Sequence, residues 1–119
     1  MGVAGGHVLI IEDEPVIALE LEILLAEIGF ASFDIADTPE DALACARAHP
    51  PDLITADYRI LRGTGVAAVE MIERALGESP VVYVTGNAGH FDPGRHAVVD
   101  KPISPRALAA ACAQACEAH

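Results

Sequence analysis

Basic residues are scarce in this chain: seven lysines and arginines stand against eighteen aspartates and glutamates, which gives a formal net charge of −11. Proteins that bind nucleic acids obtain much of their affinity from basic side chains in contact with phosphates. The charge balance therefore argues against direct binding to nucleic acid.

Long apolar runs are also missing, although 52% of the residues are hydrophobic. A helix needs about 18 to 20 uncharged residues to span a bilayer, and the chain contains no such stretch. The first residues lack the basic segment and cleavage site of a secretory signal. We therefore expect a soluble cytoplasmic protein with no membrane partner.

Neither cysteine nor histidine shows the spacing of a metal site. Cys45, Cys112 and Cys116 are odd in number and form no CxxC pair, so we interpret them as small core residues, with a zinc or redox role as the alternative. We interpret the histidines, which have no metal-ligand spacing, as ordinary surface residues. They are His7, His49, His90, His96 and His119.

What the chain does contain is a regular alternation of short apolar runs and helical patterns. This alternation is typical of a parallel sheet covered by helices on both faces. The predicted strands are Val8 to Ile11, Ser32 to Ile35, Leu53 to Ala56, Val81 to Val84 and Ala97 to Val99. With no internal repeat or linker, we expect residues 1–119 to form one domain with its core at about 6–117.

Helix signals occupy the segments between these strands. The first helix is predicted by an apolar stripe of Ile17, Leu21, Leu24 and Ile28, which Gly29 ends. Thr38 with Pro39 opens a second helix to about His49, and Ser104 with Pro105 opens the last. Thr64 or Gly65 opens the third helix, which has Val69, Ile72 and Leu76 on one face and ends at Gly77. Residues 86–97 are too few for two loops and an average helix, which together need roughly 16 residues. We expect a short, distorted or mobile fourth helix there.

The chemistry-bearing side chains follow the strands. Glu12, Asp13 and Glu14 follow the first strand, Asp57 the third, Thr85 the fourth and Lys101, the only lysine, the fifth. Ligands of open parallel sheets bind outside the carboxyl ends of the strands. Carboxylates gathered there repel each other by about 4 kcal/mol per contact at about 4 Å, so without a cation a carboxyl pKa should rise.

Magnesium suits such a cluster because it takes one or two carboxylates and keeps part of its water shell. We expect Asp13 and Asp57 to hold the ion directly. A carboxylate can accept a phosphoryl group if the phosphoryl oxygens are neutralised, and magnesium, Lys101 and the Thr85 hydroxyl would supply that neutralisation. The pattern predicts an aspartyl phosphate on Asp57.

Four motifs, HVLIIEDEP, PDLITADYRI, PVVYVTGNA and VVDKPIS, make the chain similar to receiver domains of two-component response regulators over residues 6–117. The resemblance implies an α/β, flavodoxin-like fold: a five-stranded parallel sheet in the order 2-1-3-4-5 with helices on both faces. It implies that Glu12 and Asp13 are the acid pair and that Asp57 is the phosphoacceptor. It further implies the roles of the remaining groups: Thr85 as switch hydroxyl, Lys101 as phosphate-binding lysine, the main-chain carbonyl of Arg59 as a magnesium ligand, and a cis Lys101–Pro102 bond.

The chain departs from the usual receiver pattern near the predicted switch. Val98 stands where the family usually has Tyr or Phe, and Gly86 follows Thr85 where Ala or Ser is more familiar. With the abbreviated fourth helix, this resembles a subgroup, often single-domain, that has a Thr-Gly loop. Its switch would be an ordering of residues 86–97. Arg59 and Asn87 either flank the site and influence the lifetime of the aspartyl phosphate or are solvent-exposed loop residues.

The resemblance implies a signalling module rather than an enzyme, one that catalyses only its own phosphorylation and dephosphorylation. Its donor would be a histidine kinase or histidine phosphotransfer protein, its target an unknown protein, and its state a monomer or weak dimer. One alternative is a pseudo-receiver that binds its partner regardless of phosphorylation. Another is a phosphohydrolase of the haloacid-dehalogenase type, which places a second acid where this chain has Arg59.

Overall fold

Five parallel strands form the centre of the computed structural model, which describes residues 5–86 and 93–117. They are β1 (His7–Ile11), β2 (Ser32–Ala36), β3 (Leu53–Ala56), β6 (Val81–Thr85) and β7 (Ala97–Asp100). Their order in the sheet is β2-β1-β3-β6-β7, and every neighbouring pair is parallel. In chain order of the sheet strands this is 2-1-3-4-5, so the expected fold class is confirmed.

The apolar runs in the sequence predicted the strands because strands of a covered sheet are made of buried, apolar residues. Every residue of β1, β3 and β6 is buried, as expected for central strands covered on both faces, whereas β2 and β7 at the edges each have only one buried residue. One feature had no signal in the sequence. The segments β4 (Arg59–Ile60) and β5 (Gly63–Thr64) form a small antiparallel pair directly after β3.

Four helices cover the sheet in the described part of the chain. They are α1 (Pro15–Ile28), α2 (Pro39–Ala48), α3 (Gly65–Leu76) and α4 (Pro105–Glu117). The helices α1 and α4 pack with Val8, Ile10 and Val82 on one face of the sheet. The helices α2 and α3 pack with Leu9, Ile11 and Ile54 on the other. The sheet therefore has a hydrophobic core on each side.

The predicted helix starts are confirmed by hydrogen bonds from main-chain N–H groups to the capping hydroxyls. Asp41 N donates to Thr38 Oγ1 at 3.0 Å, Ala67 N to Thr64 Oγ1 at 3.0 Å, and Ala107 N to Ser104 Oγ at 3.2 Å. The helix ends at Gly29 and Gly77 are confirmed as well, and both glycines have positive φ.

The apolar stripes were predicted less accurately than the helix ends. In α1, Leu21 is buried as expected, but the other fully buried positions are Ala18 and Leu25. In α3, Leu76 was expected on the face of Val69 and Ile72, yet it is 45% exposed because it is the last helical residue.

The expected fourth helix cannot be compared with the fold, since residues 87–92 lie outside the described part of the chain. Residues 93–96 form a turn in which His96 N donates to Pro93 O at 3.2 Å, and β7 follows at once. Among the helices described, none is both long and apolar enough to cross a membrane.

Gly65, the first residue of α3, allows this helix to approach the loop after β3. Its N–H donates to Tyr58 O at 2.8 Å, and a Cβ added at Gly65 would overlap the main-chain carbonyl of Asp57. We expect Gly65→Ala to lower the free energy of unfolding by about 1–3 kcal/mol, measured by urea denaturation.

The matched control is Gly86→Ala, because a Cβ added there meets no atom of the described residues within 4 Å. Both substitutions reduce the freedom of the unfolded chain to a similar extent. Equal stability of the two variants would contradict the close approach at Gly65.

Candidate functional site

The register of the sheet brings the predicted site residues to one rim. The β1–β3 ladder ends with Ile11 paired to Ala56, and the next residues in the chain are Glu12 and Asp57. The β6–β7 ladder ends with Thr85 paired to Asp100, and Lys101 follows. Because the strands are parallel, all these residues lie at the carboxyl ends, where we expected the site.

Lys101 joins the acidic side chains. Its Nζ donates to Asp57 Oδ2 at 2.9 Å and to Glu12 Oε1 at 3.2 Å, and it lies 3.9 Å from Glu14 Oε1. The predicted convergence of Glu12, Asp57 and Lys101 is therefore observed. Glu14 had no predicted role, and only its position beside Glu12 and Asp13 in the sequence could have indicated its proximity to the lysine.

The carboxylates nearest to Lys101 are largely removed from water. The side chain of Glu12 is 1% exposed and that of Asp57 is 10% exposed, whereas Glu14 is 67% exposed. Main-chain N–H groups hold the two buried carboxylates: Tyr58 N donates to Asp57 Oδ1 at 2.7 Å, and Glu14 N donates to Glu12 Oε2 at 3.2 Å. Buried charges are tolerable when they are paired and hydrogen-bonded in this way.

The three acids have the composition of a magnesium site. Glu12, Asp13 and Asp57 each offer one carboxylate oxygen, and these oxygens lie within 4.8 Å of one another. Lys101 supplies one positive charge beside these three carboxyl groups, so the cluster stays net negative, and a divalent cation would counter that charge. Hard oxygen ligands of this kind fit Mg²⁺. The side chain of Arg59 is exposed at the start of β4, and the role of its carbonyl stays a prediction.

The pKa of Glu12 is raised to about 7, chiefly by burial; the charge of Lys101 lowers it, and the neighbouring Asp57 carboxylate raises it. The expected rise of a carboxyl pKa is confirmed, but its largest cause is burial rather than the repulsion that we considered. For Lys101, burial alone would lower the pKa, but the hydrogen bond to Asp57 and the charge of Glu12 raise it. Lys101 therefore stays charged.

Thr85 lies at the same rim and is completely buried. Its main-chain carbonyl accepts a hydrogen bond from Lys101 N at 3.3 Å, and the Lys101–Pro102 bond is cis, as the resemblance implied. Val98 is half-buried and pairs in the sheet with Tyr83. Asn87 lies outside the described residues. Its predicted position beside the site and the predicted switch role of the Thr85 hydroxyl stay predictions.

Comparison with known proteins establishes the family. The sequence model of the response regulator receiver domain family matches residues 8–113, so the chain belongs to this family of two-component signalling domains. The phyllosphere-induced regulator PhyR of Methylorubrum extorquens is 33% identical over 115 residues, which cover 92% of this chain and 43% of that protein. The chain thus spans less than half the length of this curated relative.

Solved structures agree with this assignment. The response regulator PhyR from Brucella abortus superposes with a TM-score of 0.84 at 30% identity, covering 98% of this chain and 49% of that one. The receiver domain of the sensor histidine kinase PA1611 from Pseudomonas aeruginosa has a TM-score of 0.84 at 23% identity, covering 96% of this chain and 99% of that one. That receiver was solved with magnesium coordinated in its active site cleft. At this identity it supports the fold alone.

The raised pKa of Glu12 predicts a pH-dependent affinity for magnesium. A proton on Glu12 opposes the cation below pH about 7, so we expect Mg²⁺ to bind about tenfold more tightly near pH 8 than near pH 6, measured by calorimetry. In the metal-free protein, the folded state holds the Glu12 proton more tightly than the unfolded state does. The resulting contribution to the free energy of unfolding is present at low pH and is lost as the pH rises through about 7. Stabilisation by magnesium should therefore be larger at high pH.

The control is Glu12→Gln, which should bind magnesium more weakly at both pH values and show a flatter dependence between them. Equal affinity of the unchanged protein near pH 6 and near pH 8 would show that Glu12 does not titrate against the metal.

Proposed function

We propose that this receiver domain takes a phosphoryl group onto Asp57 from a histidine kinase or histidine phosphotransfer protein and signals to a protein partner by changing conformation. The observation that carries this proposal is the pairing of the buried Asp57 carboxylate with Lys101, 2.9 Å away, beside two further acids. A carboxylate that is buried, oriented and next to an ammonium is suited to attack an incoming phosphoryl group.

In the proposed transfer, a carboxylate oxygen of Asp57 forms a bond to phosphorus while the bond from phosphorus to the imidazole nitrogen of the donor breaks. The nitrogen keeps the electron pair, and an aspartyl phosphate results. Bound through Glu12, Asp13 and Asp57, with the Arg59 carbonyl as an additional ligand, magnesium would neutralise phosphoryl oxygens. Lys101 lies beside Asp57, where its ammonium would neutralise another phosphoryl oxygen. The Thr85 hydroxyl would donate a hydrogen bond to the phosphoryl group and so act as the switch.

A protein donor is supported by the surface next to the acids. Val16, Leu19 and Ile23 on α1 are 77%, 56% and 53% exposed. Their spacing places them on one face of the helix, and Leu19 also lines a groove of about 410 Å³ that contains Asp13. An exposed apolar patch is typical of a protein contact. We propose that the phosphoryl donor binds this face of α1.

We extend the proposal to catalysis, cellular location and oligomeric state. The residue two positions after Asp57 is Arg59 rather than the second acid of haloacid-dehalogenase enzymes, which supports a signalling role without turnover of other substrates. Cys45, Cys112 and Cys116 are free thiols, Cys112 buried and the others half-buried, which suits a reducing cytoplasm. We propose that residues 1–119 act as one domain, as a monomer or weak dimer, with no nucleic-acid or membrane partner.

Phosphorylation is tested by intact-mass measurement after incubation with acetyl phosphate and Mg²⁺. We expect one added phosphoryl group on the unchanged protein, none on Asp57→Ala, and none after removal of magnesium with a chelator. Asp41→Ala replaces an exposed aspartate and should be labelled normally.

Labelling of Asp57→Ala at the normal level would contradict the assignment of the acceptor. A wild-type protein that neither becomes labelled nor responds to beryllofluoride with magnesium would instead support the pseudo-receiver alternative.

Donor binding at α1 is tested with a histidine phosphotransfer protein that phosphorylates the unchanged chain. Leu19→Glu places a charge in the apolar patch, so we expect transfer from the protein donor to slow by about tenfold, equivalent to about 1.4 kcal/mol. Phosphorylation by acetyl phosphate should not change, because this small donor needs no docking surface.

Leu76→Glu is the matched control, since Leu76 is also an exposed leucine, 45% exposed, but lies at the end of α3. Equal slowing by both substitutions, or slowing with acetyl phosphate as well, would argue against a docking role for α1.

A further inference from the structure

A second cluster of potential ligands lies at the opposite end of the sheet from the acids. It consists of His7, Asp34 and His49, each of which offers one atom within 4.8 Å of the others. His7 is the first residue of β1, and Glu12 follows the last residue of the same strand. The interpretation of the histidines as ordinary surface residues is therefore wrong for His7, which is only 5% exposed, and for His96, whose side chain is 9% exposed. His90 and His119 lie outside the described residues.

The imidazole of His7 is held at both nitrogens. Its Nδ1 lies 2.7 Å from Ser32 Oγ, and its Nε2 lies 3.0 Å from Asp34 Oδ2. Both partners belong to β2, where Ser32 pairs directly with His7 and Asp34 points to the same face two residues later. The main chain is fixed too, because His7 N donates to Asp52 Oδ2 and Asp52 N donates to His7 O, both at 2.8 Å.

The second imidazole comes from the end of α2. His49 is the C-cap residue of this helix, and its ring stacks on that of His7 with a centroid distance of 3.7 Å and an interplanar angle of 14°. His49 is exposed, so its ring can turn without disturbing the core. The fold therefore brings together two imidazoles and a carboxylate from β1, β2 and α2.

We propose that His7 Nε2, Asp34 and His49 form a binding site for one Zn²⁺ ion. Imidazole and carboxylate are typical zinc ligands at about 2.0–2.2 Å, and a three-residue set leaves a fourth position for water or another ligand. Ser32 lies where zinc sites require a neighbour: in the zinc-bound tautomer its Oγ would accept the Nδ1–H of His7, which leaves the Nε2 lone pair for the metal.

Zinc binding requires a small rearrangement that itself can be observed. Two parallel stacked rings direct their lone pairs into separate planes, so His49 must leave the stack to share an ion with His7. Ligand atoms about 2.1 Å from one metal are at most about 4.2 Å apart, a spacing close to that of the three atoms here, which all lie within 4.8 Å of one another. The exposed His49 ring would leave the stack by rotating.

The cysteine nearest to this cluster is Cys45, one turn before His49 on α2. Burial raises the pKa of its thiol, and the Asp34 carboxylate raises it further. The potential ligand atoms that lie within 4.8 Å of one another belong to His7, Asp34 and His49, and Cys45 is not among them. Cys45 is for this reason not included in the proposed site.

The test uses the full chain with Asp13→Asn and Asp57→Asn, so that the acidic cluster cannot compete, and with excess Mg²⁺ present. Calorimetric titration with Zn²⁺ should give one site, and adding His49→Ala should weaken binding by at least about tenfold. His96→Ala is the histidine control, since His96 precedes β7 at the other edge of the sheet, and it should bind as the parent does. Cys45→Ser should also leave the affinity unchanged.

Because a substitution of the buried His7 could impair folding, its role is tested in the parent by NMR of the imidazole nitrogens. Zinc should shift the Nε2 resonance of His7, leave Nδ1 protonated and shift the ring of His49. The proposal is overturned by the absence of Zn²⁺ binding, by equal affinity of His49→Ala and its parent, or by loss of binding in Cys45→Ser. None of these outcomes bears on phosphorylation of Asp57.

Discussion

The ammonium of Lys101 lies 2.9 Å from Asp57 and 3.2 Å from Glu12, and these contacts determine the character of the site. Burial alone would disfavour all three charges, so they depend on one another. A single ammonium cannot balance three neighbouring carboxylates, which is why the cluster favours a divalent cation. Burial of Glu12, which the contact with Lys101 offsets only in part, leaves this acid with a pKa of about 7.

The fold makes this arrangement through the register of its central strands. Glu12 and Asp57 follow adjacent strands at the same level, and Lys101 follows β7. The loop after β3 is held from the other side by α3, whose first residue, Gly65, donates its N–H to Tyr58 O at 2.8 Å. The main chain of Tyr58 therefore links the two: its N–H holds the Asp57 carboxylate, and its carbonyl is held by the first residue of α3.

The strand β1 joins two sites of different chemistry. At its carboxyl end, hard oxygen ligands and an ammonium suit magnesium and phosphate. At its amino end, two imidazoles and one carboxylate suit a softer cation such as zinc. His7 and Glu12 are five positions apart, about 17 Å of extended chain, with four buried residues between them. Selection between metals at the two ends follows from ligand type, so both could be occupied in one molecule.

Sequence patterns were sufficient to predict the strands, the helix caps at Thr38, Thr64 and Ser104, and the rim on which Glu12, Asp57 and Lys101 meet. These features follow from local chemistry and from the rule that parallel strands share their carboxyl ends. Only the tertiary structure decided the burial of Glu12, the proximity of Glu14 to Lys101 and the enclosure of His7. Each depends on distances between segments far apart in the chain, such as the 89 positions between Glu12 and Lys101. Periodicity along a sequence contains no information about such distances.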